Sequence, residues 1–585
     1  MPEVRAKVKG KARGKAATPP PRAKKKATGA SWWIYGAAAA AAVIVIFVVY
    51  GPAIGGPFVF DDISQPYQRP NYSSELVAWI QGVRPLLMLS YWANYQVSQD
   101  PTGFHIINIL IHLLNTALIF LIVRKMLETG SHAHNDLLAG FAAAISLLHP
   151  LQTESVAYVA GRSETLSVLF FLGAFTVFIY RRAAAVSWGT AVAVLILFGA
   201  AVATKEHTLV LPALLLLTDY YWNPGFSFSG IRRNWRLYVP IALGAAAGLA
   251  FVARILARAG GTAGFGVKDL TWYQYFFTQC RAFFVYLRLL IFPAGQNLDW
   301  EYPISRNILD HGAIAGLIVI MALAAAAFYY RRRFPLASYG FFVYLLLMAP
   351  TSSFVPIKDP IAERRMYLPM IGILLVITAA LRRVHLDRRK LAAAMGVVVA
   401  VLAVVTWQRN QLWASDIAIW EDAVSKSPGK ARVHFQLAHT YANYQRYRDA
   451  IAQYAATAGL EPPNYDLLYD WGLALTDGGH PELGLDKLKE AAALEPTAQV
   501  YTEIARAYIL QKRWQEALDA LSQAEKYDSN YYMIYDNRGG IRANLKDYAG
   551  AAKDYQRSLE LDPGNDHARK MLAIVTQQMR QPATR

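Results

Sequence analysis

The sequence predicts an all-α protein: a polytopic transmembrane helix bundle with about eleven spans, followed by a C-terminal α-solenoid. Two observations predict this fold class. Hydrophobic residues make up 55% of the 585 residues and charged residues only 17%, and the apolar residues gather in runs of membrane-spanning length. From residue 431 onward the chain is polar instead, and it repeats with a period of about 34 residues.

The first 31 residues form a basic tail before the first apolar run. The chain carries a net charge of +18, and much of it lies in this tail and in short basic loops between apolar runs. Lys and Arg before a first membrane helix keep the N-terminus cytoplasmic and can contact anionic lipids. We therefore predict that residues 1–31 are a disordered cytoplasmic tail, that membrane lipids are partners, and that nucleic acid is not a partner.

The first apolar run, from Trp32 to Tyr50, is longer than the core of a signal peptide and lacks a convincing cleavage site. We predict that it is a retained signal anchor, which runs outward and brings the next residues to the outer membrane face. Basic clusters at 181–182, 331–333 and 381–390 then fall on the cytoplasmic side, and the C-terminus lies outside.

The remaining apolar runs complete this topology. The run 274–293 contains Gln279, Arg281 and Arg288, so we predict that it is re-entrant or lies against the bundle. The other spans are predicted to centre on residues 105–123, 137–149, 165–180, 188–203, 207–221, 237–256, 311–330, 336–350, 366–381 and 391–407.

The polar C-terminal third repeats one pattern about four times. Small residues recur at one position of the repeat, and a proline or serine ends each copy. This is the tetratricopeptide signature, in which helix pairs stack into a solenoid with a peptide-binding concave face. The small residues are Ala450, Gly484, Ala517 and Ala551, and the copies end at Pro462, Pro496, Ser529 and Pro563. Six tyrosines have two interpretations, lining of the concave face or packing between repeats: Tyr441, Tyr444, Tyr465, Tyr501, Tyr508 and Tyr535.

These observations divide the chain into five predicted parts. They are the tail at 1–31, a transmembrane domain at 32–410, a connecting helix at 411–430, the repeats at 431–565, and a C-terminal helix or tail at 566–585.

Charged side chains are concentrated in the loops that this topology brings to the outer face. One loop, "FVFDDISQ" at 58–65, follows the first span and contains two adjacent carboxylates. Single charges at a bilayer boundary are often snorkelling anchors, but so many cations and carboxylates on one side favour a site. The set is Asp61, Asp62, Arg84, His149, Glu154, Arg162, Glu164, Lys205, Glu206, His207, Asp299, Glu301, Lys358, Glu363, Arg364 and Arg365.

A cationic cavity with a carboxylate at the membrane edge suits the transfer of a sugar from a lipid phosphate. The acceptor hydroxyl needs a base, which an Asp can supply, and the leaving phosphate needs positive charge, which Arg supplies best. One base opposite the leaving phosphate gives inversion. Adjacent residues of an extended segment point opposite ways, so one of Asp61 and Asp62 can be the base while the other orients the loop.

The span from residue 105 carries a polar stripe on one helical face. His105, Asn108, His112 and Asn115 follow helical spacing, and a polar stripe inside a bilayer faces the bundle interior. Two interpretations compete, hydrogen-bonded helix packing and part of a donor cavity. Metal ligation is disfavoured, because no carboxylate completes the spacing of a zinc helix.

Several segments between about residue 55 and residue 565 carry a resemblance to a known family. They are "FVFDDI", "RPLLMLSYWANY", "GFHIINILIHLLN", "HPLQTESVAYVAGRSE", "ATKEHTLVLPALLLLTDY", "ERRMYLP" and, across the junction of the last span and first repeat, "QRNQLWASDIAIWEDAVSKSPGKARVHFQLAHTY". The chain resembles the transmembrane and tetratricopeptide repeat proteins, which are membrane O-mannosyltransferases of the GT-C superfamily.

The resemblance implies a GT-C-like catalytic domain at 32–410 and a dolichyl- or polyprenyl-phosphate sugar as donor substrate, mannose in characterised members. It implies transfer to protein Ser/Thr hydroxyls, with Asp61 first and Asp62 second as the base. The Glu-Arg before "YLP" corresponds to Glu363 and Arg364, and we infer donor phosphate contact for Arg364 or Arg365. The other predicted phosphate- or substrate-binding residues are Arg84, His105, His149, Glu154, Arg162, Lys205 and Glu206.

The composition is typical of a bacterial protein. We therefore expect the inner membrane with the repeats in the periplasm and an undecaprenyl-linked sugar, or, in a eukaryotic host, the endoplasmic reticulum membrane with luminal repeats. The acceptor is expected to be a protein or peptide recruited by the repeats, which are fewer than in many relatives. The single cysteine, Cys280, excludes an internal disulfide and a cysteine metal cluster. No metal site is predicted, and a divalent cation stays open.

Three other hypotheses stand beside protein O-glycosylation. One is a glycosyltransferase that modifies a glycan or lipid, with the repeats recruiting a partner. The second is a flippase or transporter for lipid-linked sugars, although transporters favour ionisable groups near the bilayer midplane. The third is a non-enzymatic membrane-anchored scaffold for envelope complexes, which explains the repeats but needs only one anchor.

Overall fold

The structure is a computed structural model that describes residues 32–69, 72–128, 134–181, 184–223, 225–258, 264, 267–268 and 270–580. The predicted basic tail at 1–31 and the last residues, 581–585, lie outside the described residues. The chain divides into two compact units, Met1–Ile44 and Val45–Arg585. The described part of the first unit is helical. The regular elements of the described residues are all helices, which confirms the all-α prediction.

The membrane half consists of long apolar helices, shorter helices in the loops between them, and single 3-10 turns. In the described residues its α-helices are α1 (Trp32–Ile54), α2 (Leu76–Ile80), α3 (Pro85–Val97), α4 (Pro101–Leu127), α5 (Asn135–Leu148), α6 (Thr153–Ala157), α7 (Arg162–Ile179), α8 (Trp188–Val202), α9 (Leu211–Trp222), α10 (Ser229–Arg233), α11 (Trp235–Arg258), α12 (Trp272–Ile291), α13 (Ala313–Tyr329), α14 (Pro335–Met348), α15 (Met370–Leu381) and α16 (Arg388–Leu412).

Five of the described helical segments are long and apolar enough to cross a membrane, and four shorter helices are also apolar. The chain is therefore a membrane protein, as the composition predicts, whereas the count of about eleven crossings stays a prediction. The run predicted to be re-entrant or peripheral forms one continuous helix, α12, whose place relative to the bilayer also stays a prediction. The five segments are Trp32–Ile54, Pro101–Leu127, Val159–Ile179, Asp310–Arg332 and Arg388–Leu412.

Helices α14 and α15 touch backbone to backbone. A Cβ built on Gly340 would lie 2.6 Å from the carbonyl oxygen of Gly372, and a Cβ on Gly372 would lie 2.5 Å from the backbone nitrogen of Tyr344. Only glycine permits this approach, and small residues at helix interfaces are how membrane helices pack closely.

Helix α17 (Asp416–Lys426) connects the membrane half to four helix pairs. The pairs are α18 (Ala431–Asn443) with α19 (Tyr447–Leu460), α20 (Tyr465–Asp477) with α21 (Pro481–Leu494), α22 (Ala498–Leu510) with α23 (Trp514–Tyr527), and α24 (Tyr532–Asn544) with α25 (Tyr548–Leu561), followed by α26 (Asp566–Arg580). A tetratricopeptide region at the C-terminal end is confirmed.

The small residues of the repeat signature lie where paired helices meet. A Cβ on Gly484 would lie 2.3 Å from Oγ1 of Thr476, and one on Gly472 would lie 2.7 Å from Cγ of Leu488. Ala450 is fully buried. Of the six tyrosines with two interpretations, Tyr441, Tyr508 and Tyr535 are buried between helices, whereas Tyr444 is exposed and Tyr465 and Tyr501 are half-buried.

Candidate functional site

Asp62 is the buried member of the aspartate pair. It lies in a 3-10 turn, Phe60–Ser64, that follows the extended residue Val59. Its carboxylate accepts hydrogen bonds from the Val59 N–H at 3.1 Å, the Ala160 N–H at 2.7 Å and the Tyr67 hydroxyl at 3.1 Å. Burial raises the pKa of Asp62 to about 7, although these donors oppose the rise. Asp62 therefore closes the turn and ties it to the segment before α7.

Asp61 is the exposed member of the pair. Its backbone N–H donates to the Tyr158 hydroxyl at 2.8 Å, and its carbonyl oxygen accepts from the Ser64 hydroxyl at 2.9 Å. Within the described part of the chain, its carboxylate has no hydrogen bond or ion pair, so it can accept a proton from an incoming group. The two aspartates thus differ in exposure, but they lie in a 3-10 turn and not in the extended segment that the sequence analysis assumed. The assignment of the base stays a prediction.

Arg364 is a cation whose pKa is affected by the charge of Asp61. Its guanidinium pairs with the buried carboxylate of Glu154, which also accepts the Arg364 backbone N–H at 2.9 Å. Burial lowers the pKa of Arg364, but the charges of Glu154, Tyr158 and Asp61 outweigh it and hold this pKa above its usual value. The Arg364 side chain is still 24% exposed, so a ligand can reach it.

Two more cations lie beside Arg364, and each has its own carboxylate. Arg84 makes a bidentate pair with Glu206, with both N–O distances at 2.9 Å. Lys205 pairs with Glu164 and donates to the Ser163 hydroxyl at 3.1 Å. Burial lowers the pKa of Lys205, and the nearby charges of Arg84 and Arg364 add to this lowering while Glu164 opposes it. The charges of Arg84 and Arg364 thus both act on Lys205.

We call Asp61, Glu154, Arg84, Lys205 and Arg364, with their partners Glu164 and Glu206, the outer charge cluster. His207 adjoins it, because its Nε2 lies 3.6 Å from Oε2 of Glu164. Sequence analysis placed Glu164 and His207 on the outer face but did not choose them as site residues. The signal that could have chosen them is their position, since they share the "GRSE" and "TKEH" segments with Arg162 and Lys205.

Arg162 is a predicted binding residue that the structure does not leave free to bind. It is 0% exposed. Its guanidinium donates to the Asn108 and Asn94 side chains at 2.7 and 2.9 Å, and to the carbonyls of Phe104 and Ser90 at 3.0 and 3.2 Å. We therefore correct its predicted role, because these acceptors occupy the donors that a phosphate would need.

His105 and His149 are also committed to protein contacts. Nε2 of His105 lies 3.1 Å from the carbonyl oxygen of Gly56. In His149, Nδ1 accepts the Leu151 N–H at 3.2 Å and Nε2 lies 2.9 Å from the Leu290 carbonyl oxygen. Both rings are buried. The structure does not bring them to the outer charge cluster as free ligands.

The rest of the polar stripe on α4 also makes helix-packing contacts. The side-chain amide of Asn108 donates to the Tyr158 carbonyl at 3.2 Å, and that of Asn115 donates to the Thr165 carbonyl at 2.8 Å. Nδ1 of His112 lies 2.8 Å from the Tyr367 hydroxyl. Of the two interpretations, these contacts favour hydrogen-bonded packing.

Glu363 and Arg365 flank Arg364 and fix its loop. Glu363 accepts the Gln296 side-chain amide and the Asn297 N–H, both at 2.6 Å, and burial raises its pKa to about 7. Arg365 donates to the Asp359 and Pro360 carbonyls at 2.6 and 2.9 Å. The sequence left donor contact open between Arg364 and Arg365, and the geometry favours Arg364, because Arg365 is buried and already bonded.

The described residues contain no group of three or more His, Cys, Asp or Glu side chains that could hold a metal ion. The side chains of the outer charge cluster offer chemistry of two kinds. It consists of one exposed carboxylate that can take up a proton and three paired cations that can stabilise a developing negative charge.

Fold and site together define a class of protein: an all-helical membrane protein with a charged cluster in its loops and tetratricopeptide repeats after its last long apolar helix. The family model described as "Tetratricopeptide repeat" matches residues 532–565. Among solved structures, "Crystal structure of YrrB: a TPR protein with an unusual peptide-binding site" covers 30% of this chain and 88% of that one, at 16% identity and a TM-score of 0.24.

Curated proteins that are similar over most of this chain indicate a narrower class than the repeats do. The chain is 22% identical over 446 residues to "Protein O-mannosyl-transferase F38B6.6" of Caenorhabditis elegans, with 71% of this chain and 61% of that protein covered. It is 22% identical over 552 residues to "Protein O-mannosyl-transferase TMTC3" of Mus musculus, with 84% and 58% covered. It is 27% identical over 433 residues to "Protein O-mannosyl-transferase TMTC4" of Homo sapiens, with 63% and 57% covered.

These relatives confirm the resemblance that the motifs carry, since the curated proteins similar to this chain are protein O-mannosyl-transferases. The chain spans about three fifths of the length of the relatives that it matches.

Proposed function

We propose that this chain is a GT-C-type glycosyltransferase that moves a hexose, such as mannose, from a polyprenyl-phosphate donor to Ser/Thr hydroxyls of outer-side proteins. The single observation that carries the proposal is that the charge of the exposed, unbonded Asp61 carboxylate acts on the guanidinium of Arg364, which Glu154 holds in place. The names of the curated relatives support the reaction class.

In this mechanism the acceptor hydroxyl gives its proton to the Asp61 carboxylate. The acceptor oxygen forms a bond to the anomeric carbon, and the bond from that carbon to the phosphate oxygen breaks. The electron pair leaves with the polyprenyl phosphate, whose negative charge Arg364, Arg84 and Lys205 stabilise. One displacement from the face opposite the phosphate inverts the anomeric configuration. Atoms and charge balance without any further reactant.

The donor lipid needs an apolar place beside the cations. A cavity of about 660 Å³ lies between α9, α13 and α14 and is lined by apolar and aromatic side chains, among them Leu216, Tyr220, Phe328 and Phe342. Its α9 wall consists of residues between Ala213 and Tyr221, on the helix that follows Lys205 in the chain. This apolar lining supports a prenyl tail as the part of the donor that the membrane half holds.

The acceptor is a protein or peptide that the repeats recruit, because stacked helix pairs with a concave face are built to hold extended chains. The membrane is the bacterial inner membrane with the repeats in the periplasm. In a eukaryotic host it is the endoplasmic reticulum membrane, with the repeats in the lumen.

The test is mass spectrometry of outer-side proteins from cells that carry the wild type, Asp61→Asn, Asp62→Asn or Glu75→Gln at matched membrane levels. Glu75 is an exposed carboxylate in the same outer segment and serves as the matched control. We expect Asp61→Asn to lose hexose from Ser/Thr peptides by about 100-fold or more, since a positioned base contributes at least that much. Asp62→Asn should lose part of the signal because its turn is disturbed.

Unchanged glycopeptides in Asp61→Asn would overturn the proposal. A loss confined to lipid-linked glycans would instead identify a glycosyltransferase that acts on a glycan or lipid. The chain would be identified as a scaffold if the wild type and all three variants give the same glycopeptides and glycans, and if deletion of the chain removes a membrane complex.

A further inference from the structure

Phe60, the residue before Asp61, has a backbone conformation that side chains rarely adopt. Its φ angle is +53°, in the left-handed region, and it is not a glycine. Residues held in this region persist only where the surroundings fix them, and they cluster at functional sites. The contacts that hold Phe60 therefore also determine where the Asp61 carboxylate lies.

Two residues from outside the membrane half hold the Phe60 ring. The Trp420 ring of α17 meets it edge to face, with centroids 5.5 Å apart and planes at 77°. The Arg432 guanidinium of α18, in the first repeat, lies 5.4 Å from the ring centroid. Trp420 is buried, so this contact is part of the core that joins α17 to the first repeat.

Arg432 is itself fixed by carboxylates of the membrane half. It donates to both carboxylate oxygens of the buried Asp299, at 2.5 and 2.6 Å, and to Asp359 at 2.6 Å. The Asp359 carbonyl in turn accepts from Arg365, the neighbour of Arg364. One network thus joins the first repeat to the turn that carries Asp61 and to the loop that carries Arg364.

The backbone N–H of Asp61 is also held by a residue that packs against the end of α16. The Tyr158 hydroxyl accepts the Asp61 N–H at 2.8 Å. The Tyr158 ring stacks on Trp413, which follows the last residue of α16, with centroids 5.9 Å apart and planes at 29°. Both anchors of Asp61 therefore rest on the segment that leads from the last long apolar helix into the repeats.

We propose that Arg432 and Trp420 are positioning residues for Asp61, acting through Phe60, so that the docked first repeat holds the base in its reactive place. The inference rests on the proposed function, in which Asp61 is the base. Its consequence is that the repeats contribute to the chemical step itself and not only to the capture of an acceptor.

The kinetic test uses the purified full chain with a polyprenyl-phosphate hexose donor, and it follows both transfer to a Ser/Thr peptide and hydrolysis of the donor by water. Arg432→Met removes the cation and keeps the length of the side chain. Phe60→Leu keeps an apolar side chain but removes the ring. Arg446→Met is the matched control, because Arg446 also lies over a ring, that of Tyr441 at 4.3 Å, but its ion pair is with the exposed Asp449 and not with Asp299.

We expect Arg432→Met and Phe60→Leu to lower kcat for transfer and for hydrolysis by about tenfold each, since small misplacements of a reacting group have effects of this size. The KM for the donor should stay within about twofold, as should all constants of Arg446→Met. Phe60→Tyr should keep most of the wild-type kcat because it retains the ring. An increase in the acceptor KM alone, with unchanged hydrolysis, would overturn the inference.

Hydrogen exchange of the amides of residues 58–65 gives a second measurement that needs no activity. These amides should exchange faster in Arg432→Met than in the wild type and in Arg446→Met. Equal exchange in all three would overturn the inference. A wild type that neither transfers nor hydrolyses the donor would overturn the proposed function, and the exchange rates would still decide whether the repeat holds the turn.

Discussion

Charges are arranged differently in the outer charge cluster and in the repeats. In the cluster, the partners come from distant parts of the chain: Arg364 and Glu154 are 210 residues apart, and Arg84 and Glu206 are 122 residues apart. In the repeats, many pairs lie three residues apart on one helix face, and some have both side chains nearly half exposed, such as Arg513 with Glu516.

The difference agrees with the proposed function, in which the charges of the cluster act on the substrate. A buried charge is costly to desolvate, and it is kept only with a partner in good geometry, whereas an exposed pair adds little to stability. In the proposed function, the desolvation cost of the cluster serves to hold cations near Asp61. The local pairs of the repeats lie on the surface of single helices. Four changes, ordered by expected effect, test this comparison.

The largest effect is expected for Arg364→Met. The substitution removes the cation next to Asp61 and leaves the buried carboxylate of Glu154 without its partner. We expect kcat for donor hydrolysis to fall by about 100-fold to 1000-fold, the size of effect seen when one stabilising donor is removed. Arg364→Lys should retain more activity because it keeps a positive charge. Wild-type activity in Arg364→Met would show that the leaving phosphate is stabilised elsewhere.

The next effect is expected where the two regions meet. Asp299 is buried and pairs with both Lys430 and Arg432, so Asp299→Leu leaves two cations with only Asp359. Removing one partner of a buried pair typically costs about 3–5 kcal/mol, and the partial exposure of the cations, 21% for Lys430 and 27% for Arg432, should keep the loss near the lower end. Thermal unfolding and protease sensitivity between α16 and α18 measure it. Asp449→Asn, which breaks an exposed pair in the first repeat, should leave both measurements unchanged.

Sequence patterns predicted the repeats, because a period of about 34 residues identifies helix pairs wherever they fold. A difference between Asp61 and Asp62 was expected from an extended segment, but the structure has a 3-10 turn there, and their roles stay predictions. The membrane location followed from composition.

The roles of Arg162 and His149 could not be predicted in this way. Their side chains are occupied by backbone carbonyls, Phe104 and Ser90 for one and Leu290 for the other, and a sequence does not show which carbonyls a fold leaves unpaired. The left-handed conformation of Phe60 could not be predicted either, because the residues that contact its ring are more than 300 positions away in the chain. Long-range contacts thus determine the site, and local patterns determine the scaffold.

A pH dependence follows from Glu363, whose pKa burial raises from 4.5 to about 7. Between these values the folded state binds a proton that the unfolded state has lost, so wild-type stability falls as the pH rises from about 5 to 7 and then levels off. Glu363→Gln lacks this titration. We expect the unfolding free energy of the variant minus that of the wild type to increase by roughly 2 kcal/mol from pH 5 to pH 8. Denaturant unfolding at each pH measures it. A difference that is constant over this range would mean that Glu363 is ionised throughout.

The smallest effect is expected for Glu490→Gln in the repeats. Glu490 is half exposed, and its partner Lys487 also contacts the Trp471 ring at 4.9 Å, so the lysine keeps a favourable contact when the carboxylate is lost. We expect a loss of stability of less than about 0.5 kcal/mol, which 1 M salt should reduce further, and unchanged donor hydrolysis. A loss as large as that of Asp299→Leu would mean that the local pairs contribute strongly to the stability of the repeats. The contrast between distant, buried charges and local, exposed ones would then no longer separate the reaction site from the repeats.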